Sequence, residues 1–163
     1  MSAAVSLGGA ALTWRNTRGV KLHTGFELAR SLYSTLVSPQ ISDARDALEF
    51  YRRAEERDLA RTEVVLPNYF AILWCFEAIL IGRRSLIGQR RLNGTGPAVE
   101  YLDEAIGWHL KLWVERWPEV RGQVKEHIAD LEDQHSLRSL VELASAVLGE
   151  TREVRALRGE LSA

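Results

Sequence analysis

The sequence contains a single cysteine, and its acidic and basic residues nearly balance. Cys75 has no second cysteine with which to form a disulfide inside the chain, which is compatible with a reducing compartment. Lys and Arg number 21 against 22 Asp and Glu, so the net charge is -1. Because there is no excess of basic charge to attract phosphates, binding to nucleic acid is not favoured.

Catalytic, nucleotide-binding and metal-binding signatures are also missing. Residues 93–96 (NGTG) are rich in glycine, but they lack the lysine and the preceding strand of a phosphate-binding loop. Glu132 and His135 form one Glu-x-x-His motif, whereas di-metal helical bundles use two copies. We therefore predict no catalytic residue, no metal site and no cofactor, and a binding protein is expected before an enzyme.

The most informative segment that is present spans residues 64–81 (VVLPNYFAILWCFEAILI) and is apolar on every side of a helix. Such a helix needs cover all round, from other helices or from lipid. A membrane span needs about 20 apolar residues, and a charge in mid-bilayer costs ~3 kcal/mol. The segment is short and carries Glu77, which favours a buried core helix, and Pro67 predicts that its regular part begins there.

Apolar residues recur at helical spacing along the rest of the chain, and no segment shows the alternation of a strand. Ser42 is a predicted helix cap, and the prolines at positions 97 and 118 predict the starts of two further helices. We predict an all-α fold, a single bundle of about six helices around a fully buried central helix. Its organisation is an N-terminal arm over residues 1–21, the bundle over 22–149 and a helical extension over 150–163.

The N-terminal arm raises the question of a membrane. Residues 1–14 carry no charge and are followed by Arg15, Arg18 and Lys21, the order found at the cytoplasmic end of a membrane helix. These 14 residues are too few to span a bilayer alone. Two interpretations stay open: the remnant of a membrane helix, and a flexible or packed terminal arm. We expect a cytoplasmic protein, with association at the cytoplasmic face of the membrane as an additional option.

One predicted partner-binding surface lies on the helix that follows Pro97. That helix has a second apolar row beside its first, and the row includes Tyr101, Trp108 and Leu112. Aromatic side chains dominate the energetics of protein interfaces, so this row predicts contact with a protein partner or a second copy. The C-terminal helix contributes Val154 and Leu157 to the prediction. Ordinary packing against the N-terminal helix is the alternative.

Glu77, Arg83 and Arg84 are the candidate ligand-binding residues. A carboxylate in an apolar helix either faces a ligand in an internal cavity or pairs with an arginine of a neighbouring helix. The arginines after the helix either bind phosphates, for example those of lipid headgroups, or complement the negative end of the helix in solvent.

The middle of the chain, about residues 26–125, resembles a bacterial helical family catalogued only as a domain of unknown function. The matching features are Ser38-Pro39 followed by Ala44-Arg45, Asn68-Tyr69-Phe70 at the opening of an apolar helix, Gly82-Arg83-Arg84 at its end, and the tryptophan-bearing residues 108–117. Members of that family often follow an N-terminal membrane helix. The resemblance therefore implies a helical fold and a membrane context, and it implies no site.

These observations favour a non-enzymatic interaction domain that self-associates or binds a protein partner. One alternative is a small-molecule-binding or enzymatic bundle that uses Glu77 with an arginine. The other is a membrane-inserted component of a defence or toxin system, in which residues 64–81 enter lipid.

Overall fold

The structure, a computed structural model, describes residues 22–90 and 94–161. These residues form six α-helices and contain no strand. The helices are α1 (22–36), α2 (Pro39–Arg53), α3 (Leu59–Gly88), α4 (Gly96–Lys125), α5 (Gln134–Leu148) and α6 (Arg152–Gly159). The predicted all-α bundle around a central helix is confirmed, with α3 at its centre. The predicted N-terminal arm lies outside the described residues.

Short polar side chains fix the starts of three helices. The Asp58 carboxylate accepts a hydrogen bond from the Arg61 backbone N–H at 2.8 Å and caps α3. Ser38 caps α2 and Thr151 caps α6 in the same way. The cap of α2 predicted at Ser42 is therefore wrong, because the serine four residues earlier precedes Pro39, which is well suited to a first helical turn.

Two prolines lie inside helices and not at their starts. Helix α3 begins at Leu59, two turns before Pro67, and α4 runs through Pro118 to Lys125. The helix starts predicted at these prolines are therefore wrong. Pro67 is exposed, so water can bond the backbone carbonyl that the proline leaves without its helical donor. Beyond Pro118, buried apolar residues hold the last turns of α4 in the core.

Helix α3 contacts α2, α4 and α5, and α1 crosses it near its C-terminal end. A Cβ atom on Gly82 would lie 2.5 Å from Cδ1 of Leu32, so the glycine allows α1 to approach α3 closely. Phe26 of α1 also packs edge-on against Tyr101 of α4, with ring centroids 6.0 Å apart. These contacts give α1 a fixed position across α3 and α4.

The C-terminal helix packs back onto the bundle. Gly149 has a φ of +75°, a conformation that favours glycine, and it ends α5 so that α6 can turn against α4 and α5. Val154 and Leu157 are 0% exposed and belong to the same core as the rest of the bundle. The extension predicted from residue 150 thus contains core residues up to the end of the described chain.

Candidate association surface

One side of α3 is left uncovered by the bundle. Val64 is 77% exposed, Trp74 is 61% exposed and Ile81 is 59% exposed. They belong to a row that advances by four and three residues in turn and carries no charge, here called the α3 stripe. Its members are Ala60, Val64, Pro67, Ala71, Trp74, Ala78, Ile81, Ser85 and Gly88. At 1.5 Å per residue the α3 stripe runs for about 40 Å.

The spacing of the α3 stripe is the heptad spacing of helices that pack against another helix along their length. The other sides of α3 are covered as predicted, and they bury Tyr69, Phe76 and Ile79 among others. Along the α3 stripe the helix is exposed, which is the exception to the predicted burial of this helix on every side. The helices that contact α3 lie on its remaining sides, and the described part of the chain supplies no further helix to cover it.

An apolar groove of about 430 Å³ adjoins the α3 stripe between α2 and α3. Phe50, which is 80% exposed, and Val64 are among the residues that line it. Ala60 and Val64 belong to both the groove and the α3 stripe, so the two form one continuous apolar surface. On the α3 stripe itself, the indole of Trp74 stacks on Phe70 with ring centroids 5.6 Å apart. The largest side chain of the surface is therefore held in place before any partner binds.

The predicted surface around Trp108 is smaller and is divided by the fold. Trp108 is 65% exposed, but the exposed residues on the same side of α4 include the charged Glu104, Lys111 and Glu115. Tyr101 is partly covered by α1, and Leu112 is half-buried. The exposed indole of Trp108 is therefore surrounded by charged residues on this side of α4.

The contribution predicted for the C-terminal helix to that surface is wrong. Val154 and Leu157 are fully buried, because α6 turns this side towards α4 and α5. Neither side chain can contact a partner while the bundle is folded.

Glu77 is paired with residues at the start of α5. Its carboxylate accepts a hydrogen bond from the Ser136 hydroxyl at 2.9 Å and lies 3.2 Å from Nε2 of His135. The carboxylate is 23% exposed and so reaches the surface. The arginine partner considered for Glu77 is therefore wrong, and the serine and histidine satisfy the group instead.

Arg83 and Arg84 each bind a different acidic residue. Arg83 donates two hydrogen bonds of 2.7 Å to Asp103 of α4, and this pairing raises the pKa of its guanidinium. Arg84 pairs with Glu142 of α5 at the surface. The structure therefore does not bring Glu77, Arg83 and Arg84 together around one ligand.

Sequence reasoning missed a buried polar network at one end of the bundle. The carboxylate of Asp133 accepts a hydrogen bond of 2.5 Å from the Tyr69 hydroxyl and two, of 2.9 and 3.1 Å, from the Arg121 guanidinium. Arg121 also donates to the backbone carbonyl of Glu160 at 3.1 Å. Burial, and then the bond to Asp133, raise the pKa of Tyr69 above its ordinary value.

The network joins the segment before α5, the core helices α3 and α4, and the end of α6. Asp133 and Arg121 are 1% and 2% exposed, so the network ties these segments together inside the fold. One signal was present in the sequence. Arg121 lies four residues after Trp117 and three before Val124, which places a charge on the buried row of α4.

We predict that the Cys75 thiol is unreactive in the folded protein. Burial raises its pKa to about 11, an effect larger than the opposing influence of Arg45. At pH 8 the thiolate fraction falls by more than about 100-fold relative to a free cysteine, whose pKa is near 8.5. A colorimetric disulfide reagent should therefore react at least ~100-fold faster after unfolding in guanidinium than before. Equal rates in the two states would contradict this prediction.

Within the described residues, α3 alone is long and apolar enough to cross a membrane by length and composition, and less than half of its most apolar stretch is buried in the bundle. Comparison of the chain with known protein families, with curated proteins and with solved structures finds no match. The resemblance to the bacterial helical family therefore stays a prediction.

Proposed function

We propose that this domain is a self-association module that buries its α3 stripe against a second copy of the chain. The observation that carries the proposal is the uncharged row at heptad spacing in which Val64, Trp74 and Ile81 are mostly exposed. Burial of apolar surface is favourable by ~25 cal/mol per Å², so covering a row of this length with a partner would be strongly favourable. Large uncovered apolar patches on a folded domain mark interaction sites.

The composition of the α3 stripe supports a second copy as the partner. One large side chain at 74 and medium-sized ones at 64 and 81 are interspersed with small ones at 60, 71 and 78, so one surface offers both projections and recesses. A twofold pair uses the same patch on both molecules and therefore needs such self-complementarity.

The area of the surface is also large enough for a pair. With Phe50, the row presents on the order of 500 Å² of apolar surface per copy, since an aromatic side chain contributes about 150–250 Å². A symmetric pair would bury about 1,000 Å², the lower bound of specific interfaces.

Charge around the α3 stripe supports a protein partner over a lipid surface. Helices that lie on membranes carry mostly Lys and Arg beside their apolar face. Beside the α3 stripe the exposed charges have both signs, with Glu63, Arg84 and Glu142 among them. The buried sides of α3 are also packed in the bundle, so the helix could enter a bilayer only if the bundle opened. A location at the cytoplasmic face of a membrane stays a prediction from residues 1–21.

The alternative of a ligand-binding or enzymatic bundle has less support. It depends on Glu77 and an arginine meeting in a cavity, and each of these side chains is paired elsewhere. The groove beside Phe50 is apolar and continuous with the α3 stripe, which makes it part of the same association surface.

We predict that Trp74→Lys abolishes association at concentrations where the wild type is dimeric. The change removes one aromatic anchor from each copy and places a charge in the contact, which should weaken the dissociation constant by at least ~100-fold. Light scattering coupled to size exclusion measures the mass, and the wild type should run at about twice 18.4 kDa. Trp108→Lys is the matched control, because it changes the same residue type at 65% exposure on another face. It should leave the dimer intact.

A monomeric wild type at 100 µM, or equal loss of the dimer in both variants, would contradict the proposal. Flotation with neutral phosphatidylcholine vesicles tests the lipid reading of the same surface. Binding of a monomeric wild type to those vesicles, lost in Trp74→Lys and kept in Trp108→Lys, would assign the α3 stripe to lipid instead.

A further inference from the structure

We infer that the two copies pack with their α3 helices antiparallel, in one register fixed by the sizes of the side chains on the α3 stripe. This inference rests on the proposed self-association and goes beyond it, because it names which residues of the two copies meet. Residues of the α3 stripe alternate between heptad positions a and d, the two that face a partner helix. In an antiparallel pair, position a of one helix faces position d of the other. Only registers that pair a with d are therefore allowed.

One register places the largest side chain of the row against a small one and pairs the two medium-sized aliphatic side chains with each other. Trp74 of each copy then faces Ala71 of the second copy, next to the twofold axis. Pro67 faces Ala78, and Val64 faces Ile81. Because each large residue meets a small or medium one, the two helices keep a constant separation, which close packing requires.

A parallel pair gives a worse fit. In that orientation like faces like, so Trp74 would meet Trp74 while Ala71 and Ala78 would meet their own copies. Two indoles in one layer would hold the helices apart, and the alanine layers on either side would contain voids. Voids of this kind cost stability, because the atoms around them lose their dispersion contacts.

Charge beside the α3 stripe favours the same orientation. In the antiparallel register Glu63 of one copy lies on the same flank as Arg84 of the second copy, within about one helical turn. Glu63 is exposed and makes no ion pair within residues 22–90 and 94–161 of its own chain, and Arg84 keeps more than half of its side chain exposed beside Glu142. The parallel orientation would place Glu63 next to Asn68 and give no ion pair.

In this register the groove between α2 and α3 contacts the second copy. Ile81 of the second copy is opposite Val64, which lines the groove together with Phe50. Phe50 can therefore cover Ile81 of the second copy from the side of α2. This contact accounts for the exposure of a phenylalanine on the outer side of α2, at 80% in the single chain.

Disulfide cross-linking tests the orientation. Three proteins are made in a Cys75→Ala background: Val64→Cys, Ile81→Cys, and the double variant. In the antiparallel register residue 64 lies beside residue 81 of the second copy, whereas the two copies of residue 64 are about 25 Å apart along the axis. A disulfide needs Cα atoms within about 7 Å. Mild oxidation should convert the double variant to covalent dimer and leave each single variant uncross-linked.

The outcomes separate this inference from the proposed function. Covalent dimer in either single variant would show parallel packing and would overturn the inference. So would a double variant that stays uncross-linked although light scattering shows a dimer. A wild type that is monomeric would instead remove the proposed function itself. Circular dichroism of each variant is the control for folding, and the helical signal should be unchanged by the exposed cysteines and by Cys75→Ala.

Discussion

Asp133→Ala is expected to lower the free energy of unfolding by about 3–5 kcal/mol, the cost of leaving a buried partner charge unpaired. The Asp133 carboxylate accepts hydrogen bonds from Tyr69 and from two nitrogens of Arg121, and it is 1% exposed. Without it the Arg121 guanidinium stays buried with only Glu160 as a partner. Because small domains are stable by about 5–15 kcal/mol, much of the folding free energy would be lost. Urea unfolding followed by circular dichroism at 222 nm measures the change.

Two controls isolate the buried pair. Tyr69→Phe removes one neutral donor and keeps the ion pair of Asp133 and Arg121, so it should cost about 1 kcal/mol. Arg84→Ala breaks an ion pair whose side chains are both more than half exposed, and it should cost no more than about 1 kcal/mol. If Asp133→Ala were no more destabilising than Arg84→Ala, the network would contribute little to the fold. The double change of Asp133→Leu with Arg121→Met should recover part of the loss, because it leaves no charge unpaired.

The sequence was sufficient for the fold class because helical spacing is a local property that repeats along the whole chain. The segment around residues 64–81 identified the central helix for the same reason. Helix boundaries were less accurate at Pro67 and Pro118, where local rules predict a start and the packed core carries the helix through. A proline removes one helical hydrogen bond, and the packing of the buried residues on either side of it outweighs that loss.

The position of the association surface could not be predicted from the sequence. A helix that is apolar all round gives no local sign of which side the rest of the chain leaves open, because that depends on how many neighbours pack against it. The sequence shows heptad spacing from position 60 to 88, but the aromatic Trp108 in a second apolar row predicts an interface on α4 instead. In the structure Trp108 stands among charges, and Trp74 stands in an uncharged row.

The buried network was harder to predict for a related reason. Tyr69 and Asp133 are 64 residues apart, so only the tertiary fold brings them into contact. Glu77 and Arg83 illustrate the converse. Their types suggested a shared ligand site, and the fold supplies each with its own partner on another helix.

A chain that ends at Gly149 is expected to lose about 4–6 kcal/mol of stability relative to the full chain. Val154 and Leu157 are fully buried, and burying an aliphatic side chain of this size is worth about 1.5–3 kcal/mol each. Arg121 would also lose its hydrogen bonds to Glu160 while remaining inside the bundle.

The loss is measured as the change in the free energy of unfolding in urea. If the truncated chain fails to fold, Leu157→Ala provides a second test, with an expected loss of about 2–5 kcal/mol. Arg158→Ala, which breaks an exposed ion pair with Glu150 on the outer side of α6, serves as the control and should change stability by less than about 1 kcal/mol. An appended helix would leave the bundle unchanged when removed, so equal stability of the two chains would show that residues 150–163 are the extension that spacing alone predicts. A large loss would place them in the core, because a side chain that shields the bundle from water cannot be removed without exposing what it covers.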